Sequence, residues 1–120
     1  MAKILVHVTC GPDQPTRAAL AFFVGRAAIE EGHAVTMFLA GDAVQLLRRA
    51  VLDALGGLGT GSLREHHDKI VAGGGRFVLS GGSSKVRGIG EADLEGVPFE
   101  FGTPNKLIQL ALDHDRVISY

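Results

Sequence analysis

The stretch ILVHVT, residues 4–9, consists of apolar and β-branched residues around one histidine. A short run of this kind is typical of a strand that is covered on both faces of a sheet. Gly11-Pro12-Asp13 breaks the run, and residues 15–31 then carry apolar side chains at helical spacing, with Gly32 as a suitable end. The apolar positions of this predicted helix are Leu20, Phe23, Val24 and Ala27. The first part of the chain therefore predicts a buried strand followed by an amphipathic helix.

The same alternation continues along the chain. Residues 35–40 form a second apolar run, and the turn at Gly41-Asp42 follows, with Asp42 as a predicted N-cap. The helix predicted after this turn carries on one face Val44, Leu47, Val51 and Leu55. Strand, helix, strand, helix is the pattern of a parallel sheet with right-handed crossovers.

The remaining half of the chain extends this pattern. Residues 56–61 are a glycine-rich loop, and Ser62 with Glu65 forms a capping box that starts a helix ending at Gly73. Thr103 as N-cap, with Pro104 at the first helical position, starts the last helix. The strands predicted here are residues 76–80, 97–101 and 116–120, with a helical turn at residues 81–87. We therefore predict an α/β fold in a single domain, residues 1–120.

The composition excludes several classes of protein. A chain of 120 residues suits one domain, and its net charge of −1 gives no reason to expect nucleic acid or an anionic membrane as partner. The longest apolar stretch, residues 18–29, is interrupted by Arg26 and is shorter than a membrane span. Cys10 is the single cysteine, so no intrachain disulfide is possible, and we expect a reducing, cytoplasmic environment.

Ligands of parallel α/β sheets bind beyond the carboxyl ends of the strands. The loops predicted at that edge are residues 10–14, 41–42, 80–85 and 102–103. Gly81-Gly82-Ser83-Ser84 offers backbone N–H groups and hydroxyls to a small anion, and Gly11 offers similar access before the first helix. Short strand-to-helix connections also use such residues, so a purely structural role is the alternative.

The motifs of cofactor and metal sites are missing from the sequence. No phosphate-loop pattern occurs, and the glycines at 57, 59 and 61 do not follow a strand as a dinucleotide-binding loop requires. Ser83 has Lys85 two positions further on, where the nucleophile elbow of α/β hydrolases has glycine. No two of the five histidines are spaced four residues apart. The sequence therefore predicts no cofactor and no metal.

Cys10 is the only candidate for a catalytic residue. It precedes the first predicted helix, and a helix N-terminus lowers the pKa of a nearby thiol. The alternative is a small buried apolar side chain with no chemistry. Asp13 lies in the same loop, but no pair of carboxylates is placed for acid–base catalysis.

Segments along the whole chain resemble the DsrE/DsrF-like family. They are the run His7 to Asp13 leading into Thr16-Arg17-Ala18, then Gly32-His33-x-Val35, then Phe38-Leu39-x-Gly41-Asp42-x-Val44, and finally Ser80-Gly81-x-Ser83-x-Lys85-x-Arg87-Gly88-Ile89. The resemblance implies a three-layer α/β/α sandwich around a mainly parallel five-stranded sheet. It also implies a homo-oligomer, a trimer or a hexamer.

The chain departs from the sulfur-relay branch of this family at one loop. Members of that branch carry persulfide on a loop cysteine, and the corresponding positions here are Ser80 and Ser83. A serine hydroxyl cannot carry transferable sulfur, because the chemistry needs a thiolate. The Lys85 and Arg87 of the family loop remain and suit an anion or a subunit contact. The alternative for Arg87 is an ion pair with a neighbouring carboxylate.

Three interpretations of function follow. The leading one is a DsrE-like oligomer that binds a small anionic ligand, without persulfide chemistry, at Cys10, Gly11, Asp13, Ser80, Gly81, Gly82, Ser83, Lys85 and Arg87. The alternatives are an intracellular persulfide carrier that uses Cys10 and an interaction subunit without a ligand. We expect Ser80 and Ser83 to face a cavity shared with Cys10 or Gly11. We also expect a side chain at Gly82 to block that cavity and strain the turn.

Overall fold

The computed structural model describes all residues from Met1 to Tyr120. The strands are β1 (Lys3–Val8), β2 (Ala34–Leu39), β3 (Gly56–Gly57), β4 (Gly61–Ser62), β5 (Arg76–Ser80), β6 (Glu100–Gly102) and β7 (Arg116–Ser119). The α-helices are α1 (Pro15–Glu30), α2 (Arg49–Ala54), α3 (Leu63–Ala72), α4 (Gly81–Val86) and α5 (Pro104–Asp113). Two 3₁₀ helices span Gly41–Leu47 and Glu91–Leu94. None of the helices combines the length and the apolar character that crossing a bilayer requires.

The main sheet has five strands in the order β6-β5-β2-β1-β7, and every neighbouring pair is parallel. β1 lies inside the sheet, where Leu5 pairs with Thr36 of β2 on one side and with Val117 of β7 on the other. β3 and β4 form a separate antiparallel hairpin. Helices cover both faces of the sheet, so the predicted α/β fold with a parallel five-stranded sheet is confirmed.

The two faces of the sheet bury separate cores because successive side chains of a strand point to opposite faces. The larger cluster of 22 buried residues joins Val6 of β1 to Phe22 of α1 and Ile70 of α3. The smaller cluster, on the other face, joins Leu5 of β1 to Leu110 of α5. Helix α5 is the only helix in this smaller cluster. It connects the two edge strands of the sheet, β6 and β7, and so runs back across the sheet.

Helix α1 turns a different face to the core from the one that its apolar spacing predicts. Its buried residues are Ala18, Ala19, Ala21, Phe22, Gly25 and Ala28. Leu20 and Phe23, which the pattern assigned to the core, are 39% and 41% exposed. Most of the helix circumference is apolar, so periodicity selects no face. The small residues decide it: a Cβ on Gly25 would lie 2.7 Å from Met37 Sδ, so the helix packs closely against β2.

The predicted second helix is broken into two pieces. The 3₁₀ helix Gly41–Leu47 precedes α2, and Arg48 between them has a ψ angle of 130°. The prediction of Asp42 as N-cap is wrong, because Ala40 precedes the 3₁₀ helix and Asp42 lies within its first turn. The apolar assignments hold all the same. Val44 and Leu47 are buried, and Val51 and Leu55 pack against the larger core cluster.

The predicted helix starts at Ser62 and Thr103 are confirmed. The Ser62 hydroxyl accepts a hydrogen bond from the Glu65 N–H at 3.3 Å, and Thr103 accepts one from the Lys106 N–H at 3.2 Å. The strand predicted at residues 97–101 is shorter, because β6 spans Glu100–Gly102. Pro98 has no N–H to donate to a strand ladder, which accounts for the late start.

His67 of α3 makes the stability of the fold depend on pH. The residue is 2% exposed and its ring lies 4.9 Å from that of Phe77 between centroids. Burial lowers the pKa of His67, and the hydrogen bond to the mostly exposed Asp68 offsets this only in part. Its Nε2 atom has no hydrogen-bond partner, so a proton there would be buried unpaired.

We therefore expect the protein to lose stability below neutral pH. Because the pKa of His67 is lower in the folded chain, the unfolded chain binds the proton more tightly. The contribution is fully present above the unfolded pKa of about 6.5 and is lost as pH falls through the folded value. Urea midpoints from pH 7.5 to pH 5 should fall less in His67→Gln than in the unsubstituted protein. If the urea midpoint depended on pH equally in His67→Gln and in the unsubstituted protein, His67 would not have this role. His7→Gln is measured for comparison, because burial lowers the pKa of His7 as well.

Candidate functional site

Three of the loops at the carboxyl edge of the sheet are joined by direct contacts. Gly11, after β1, packs so closely on the next loop that a Cβ would lie 2.7 Å from both Cβ and O of Asp42. The Gly41 N–H donates a hydrogen bond of 2.9 Å to the Ser83 hydroxyl. Asp42 binds Arg87 with an Nη2–Oδ1 distance of 2.9 Å. The structure therefore brings together the loops after β1, β2 and β5, as the parallel sheet predicts.

Three of the five N–H groups of Arg87 donate within the protein. Its Nε and Nη2 atoms both donate to Asp42 Oδ1, at 3.1 and 2.9 Å. Its Nη1 atom donates to the Ser83 carbonyl at 3.1 Å, which ties the guanidinium to helix α4. Of the two interpretations of Arg87, the ion pair with a neighbouring carboxylate is the one found in the structure.

Ser80 and Ser83 also serve the backbone. The Ser80 hydroxyl accepts the Ser83 N–H at 3.2 Å and caps helix α4, while the Ser83 hydroxyl accepts the Gly41 N–H. None of the five surface cavities is lined by either serine, or by Cys10 or Gly11. The expectation of a cavity that these residues share is therefore wrong.

Gly81 and Gly82 differ in what surrounds them. A Cβ on Gly82 would meet no atom within 4 Å, and its backbone is not in the left-handed region. The expectation that a side chain at Gly82 blocks a cavity and strains the turn is therefore wrong. A Cβ on Gly81 would lie 3.8 Å from Gly102 O and 3.9 Å from Phe101 Cβ. Gly81 is thus the glycine that faces the space between the ends of β5 and β6 and the segment that follows β5.

That space is a cavity of about 230 Å³, lined by Gly81, Ser84, Lys85, Ile89 and Phe101, which we call the switch crevice. It lies where the chain leaves β5 and β6 for opposite faces of the sheet. The segment after α4 joins the larger core cluster, whereas α5 packs on the smaller one. Crevices at such positions are the usual ligand sites of open parallel α/β sheets.

The turn after α4 builds one wall of the switch crevice. Gly88 has a φ of +67°, which is a left-handed conformation that glycine adopts without strain. The chain reverses there, and the Ile89 N–H donates to the Ser84 carbonyl at 2.9 Å. Ile89 is consequently held beside Ser84 and is only 6% exposed.

Ser84 and Lys85 are the polar side chains of the switch crevice. Ser84 is 1% exposed, and its hydroxyl has no hydrogen-bond partner. Lys85 is exposed and forms no salt bridge. The sequence predicted Gly81 and Lys85 as site residues and counted Ser84 among the hydroxyls of the same loop, but it did not predict Ile89 and Phe101. Ser84 stands in a run of small residues, and nothing in the sequence separates it from Ser83.

Cys10 and Asp13 lie away from the switch crevice. Cys10 is 7% exposed, and burial raises the pKa of its thiol more than its backbone hydrogen bond and Arg17 lower it. This environment is that of a small buried side chain rather than of a helix-activated thiolate. Asp13 is exposed in the loop between β1 and α1.

The largest cleft of the molecule lies between the first turn of α1 and the end of β7. It measures about 640 Å³ and is lined by Gln14, Pro15, Thr16, Arg17, Leu20, Ser119 and Tyr120. None of the site residues predicted from the sequence lines it.

A parallel five-stranded sheet with helices on both faces places the chain among the small α/β sandwich proteins. Within that class, the chain belongs to the DsrE/DsrF-like family, whose sequence model matches residues 2–120. The resemblance noted in the sequence is therefore confirmed over nearly the whole chain. No protein with a curated description matches the chain.

Solved structures share the fold. The ychN protein from E. coli superimposes with a TM-score of 0.78 at 21% identity, with 100% of each chain covered. MTH1491 from Methanobacterium thermoautotrophicum, a protein of unknown function, gives 0.75 at 14% identity with the same coverage. BT1422 from Bacteroides thetaiotaomicron gives 0.70 at 11% identity, covering 99% of this chain and 95% of its own. At these identities the likeness concerns the fold alone.

Proposed function

We propose that this DsrE-like protein binds a small anionic ligand in the switch crevice and performs no persulfide chemistry there. The observation that carries the proposal is the switch crevice at the carboxyl edge of the sheet, where Lys85 lines the opening as a cation without a salt bridge. Crevices at this place in open parallel sheets are the usual ligand sites.

The charges around the crevice favour an anion. Lys85 lines the crevice and is free of any carboxylate, whereas the acidic Asp42 is already paired with Arg87. No thiol lines the crevice. The charged group of the crevice is therefore a cation, which suits the binding of an anion, and a nucleophile for sulfur transfer is not among the lining residues.

The proposal is tested by blocking the crevice. Gly81→Val adds bulk toward Phe101 and Gly102, whereas Gly82→Val adds the same bulk to open space. With ¹⁵N-labelled protein, acetate, phosphate and sulfate are titrated while the amide shifts of Ser84, Lys85 and Ile89 are followed. We expect saturable shifts for at least one anion, kept in Gly82→Val, lost in Gly81→Val and weakened in Lys85→Gln. Absence of saturable shifts with all the anions would refute the proposal.

The alternative function, a persulfide carrier using Cys10, makes an opposite prediction. We expect the folded protein to gain little mass when it is incubated with inorganic polysulfide, because the thiol is buried and its pKa is raised. The same chain in urea, with Cys10 exposed, should react and serves as the control. A stoichiometric gain of one sulfur by the folded protein, lost in Cys10→Ser, would favour the carrier.

We also propose that the protein is a homo-oligomer, a trimer or a multiple of it, as its family resemblance implies. The support from this chain is exposed apolar surface on α5 and on edge strand β7. Ile108 and Leu112 of α5 are 60% and 83% exposed, and Val117 and Ile118 of β7 are 46% and 37% exposed. Apolar side chains that are this exposed in the isolated chain suit a surface that another copy covers.

Light scattering at micromolar concentration tests the assembly. We expect the mass of a trimer or a hexamer, reduced in Leu112→Glu. Leu58→Glu is the matched control, since Leu58 is 91% exposed at the β3–β4 hairpin, away from α5. A monomer mass for the unsubstituted protein would contradict the proposal.

An oligomer that binds no anion would instead support the second alternative, an interaction subunit without a ligand. The cytoplasmic location stays a prediction from the single cysteine.

A further inference from the structure

One face of the main sheet is only partly covered within the chain. The smaller core cluster contains a single helix, α5, whose 10 residues lie on a sheet of five strands. Five strands about 4.8 Å apart span about 20 Å, whereas a helix with its side chains is about 10 Å wide. Parallel sheets are normally buried on both faces, so this face lacks the width of about one helix.

The uncovered part of this face lies on β1 and β7. Leu5 belongs to the smaller cluster and pairs with Val117, so Val117 points to the α5 face. His7 lies two residues after Leu5 and pairs with Ser119, so these side chains point to the same face. Val117 is 46% exposed, Ser119 is exposed and His7 is partly exposed. We call His7, Val117 and Ser119 the open strip.

Helix α5 carries a stripe of neutral side chains on its outer side. Asn105, Ile108, Gln109 and Leu112 are all exposed, and they follow one another at spacings i, i+3, i+4 and i+7. Residues at these spacings share one face of a helix. Ile108 and Leu112 are 60% and 83% exposed, so the centre of the stripe is apolar. We call these four residues the outer ridge.

Resting on the proposed oligomer, we infer that the outer ridge of one copy packs on the open strip of the next copy and that three such contacts close a ring. The ridge brings one helix, which is the width that the sheet face lacks. A contact between two outer ridges would leave the open strips of both copies uncovered. A contact between two different surfaces covers both, and it forms a ring when the rotation between copies closes.

The charges of the two surfaces are compatible with this contact. The four side chains of the outer ridge are neutral, and those of the open strip are neutral at pH 7 because burial lowers the pKa of His7. The contact therefore buries no unpaired charge, which is the most costly defect of an interface. Ile108 and Leu112 on the ridge and Val117 on the strip supply its apolar centre.

Two variants each remove one of the two surfaces. Leu112→Glu places a carboxylate on the outer ridge and leaves the open strip intact, whereas Val117→Glu does the reverse. We expect a trimer for the unsubstituted protein and a monomer for each variant, measured by light scattering at micromolar concentration. Circular dichroism establishes that the variants are folded, and Ser119→Glu replaces Val117→Glu if the latter is not.

Arg116→Gln is the matched control for Val117→Glu. It makes the net charge more negative by the same single unit, one position away on the same strand. Arg116 pairs with Ile4, which packs against the larger cluster, so its side chain points to the opposite face of the sheet. We expect Arg116→Gln to remain a trimer.

Mixing the two variants tests whether the contact joins different surfaces. The intact ridge of Val117→Glu can bind the intact strip of Leu112→Glu, but this pair has no further surface for a third copy. When unlabelled Val117→Glu is added to ¹⁵N-labelled Leu112→Glu at submillimolar concentration, we expect saturable shifts at the amides of His7 and Ser119. With the labels exchanged, the shifts should appear at Ile108 instead, and the mass of the mixture should not exceed that of two chains.

The outcomes separate this inference from the proposals on which it rests. A trimer that persists in either glutamate variant overturns the inference, and so does a mixture without saturable shifts at the two surfaces. In both cases an oligomeric unsubstituted protein leaves the proposed assembly standing. A monomer mass for the unsubstituted protein overturns the inference and the assembly together. The switch crevice takes no part in these measurements, so anion binding is tested independently.

Discussion

Gly11→Ala should lower the free energy of unfolding by about 1–3 kcal/mol, the usual cost of overpacking. The added Cβ would lie 2.7 Å from Cβ and O of Asp42 and 3.0 Å from its carbonyl carbon. Backbone atoms cannot rotate away as a side chain can, so the loops after β1 and β2 must move apart. Because Asp42 holds Arg87, the displacement should also reach the start of α4. Urea unfolding followed by circular dichroism measures the cost.

Gly82→Ala is the matched control for this substitution. It adds the same methyl group at the same edge of the sheet, but to open space and inside a helix. Alanine is a better helix former than glycine by up to about 1 kcal/mol, so the variant should be unchanged or slightly more stable. Equal losses in the two variants would show that Gly11 is not closely packed against Asp42.

Phe22→Ala should have the largest effect on stability, a loss of about 3–5 kcal/mol. Phe22 is fully buried in the larger core cluster, and its ring centroid lies 5.5 Å from that of Phe77. Folded domains of this size have only about 5–15 kcal/mol in total, so the alanine variant sits near the limit of folding. Phe22→Leu keeps most of the volume and should give a smaller, measurable loss in thermal and urea unfolding.

Phe23→Ala, one position further along α1, is the internal comparison. Phe23 is 41% exposed and stacks on His66 with a centroid distance of 4.6 Å. Its loss should cost about 1 kcal/mol, the typical worth of an aromatic pair. Measurement at two protein concentrations separates packing within the chain from contacts between copies. A larger loss of stability in Phe23→Ala than in Phe22→Ala would show that the buried face of α1 is the one that the sequence pattern predicts.

The order and type of the strands and helices were predictable from the sequence, because the patterns that specify them lie within short stretches of the chain. The apolar run at residues 4–9 lies at β1 (Lys3–Val8), and the caps Ser62 and Thr103 lie where α3 and α5 begin. Apolar runs separated by helices specify a parallel sheet, and the ordered segments along the chain identify the family. These features depend on residues near one another in sequence.

The candidate site depended on contacts between segments distant in sequence, so only the tertiary structure decided it. Ser83 and Ser84 are equivalent in sequence, yet the loop after β2 takes the hydroxyl of Ser83 and leaves that of Ser84 unpaired. Which side of α1 is buried was likewise settled by the close approach of Gly25 to Met37, since the helix is apolar on most sides. The sequence by itself determined the order and type of the elements. Packing determined which polar side chains are hydrogen-bonded within the protein and which remain unpaired.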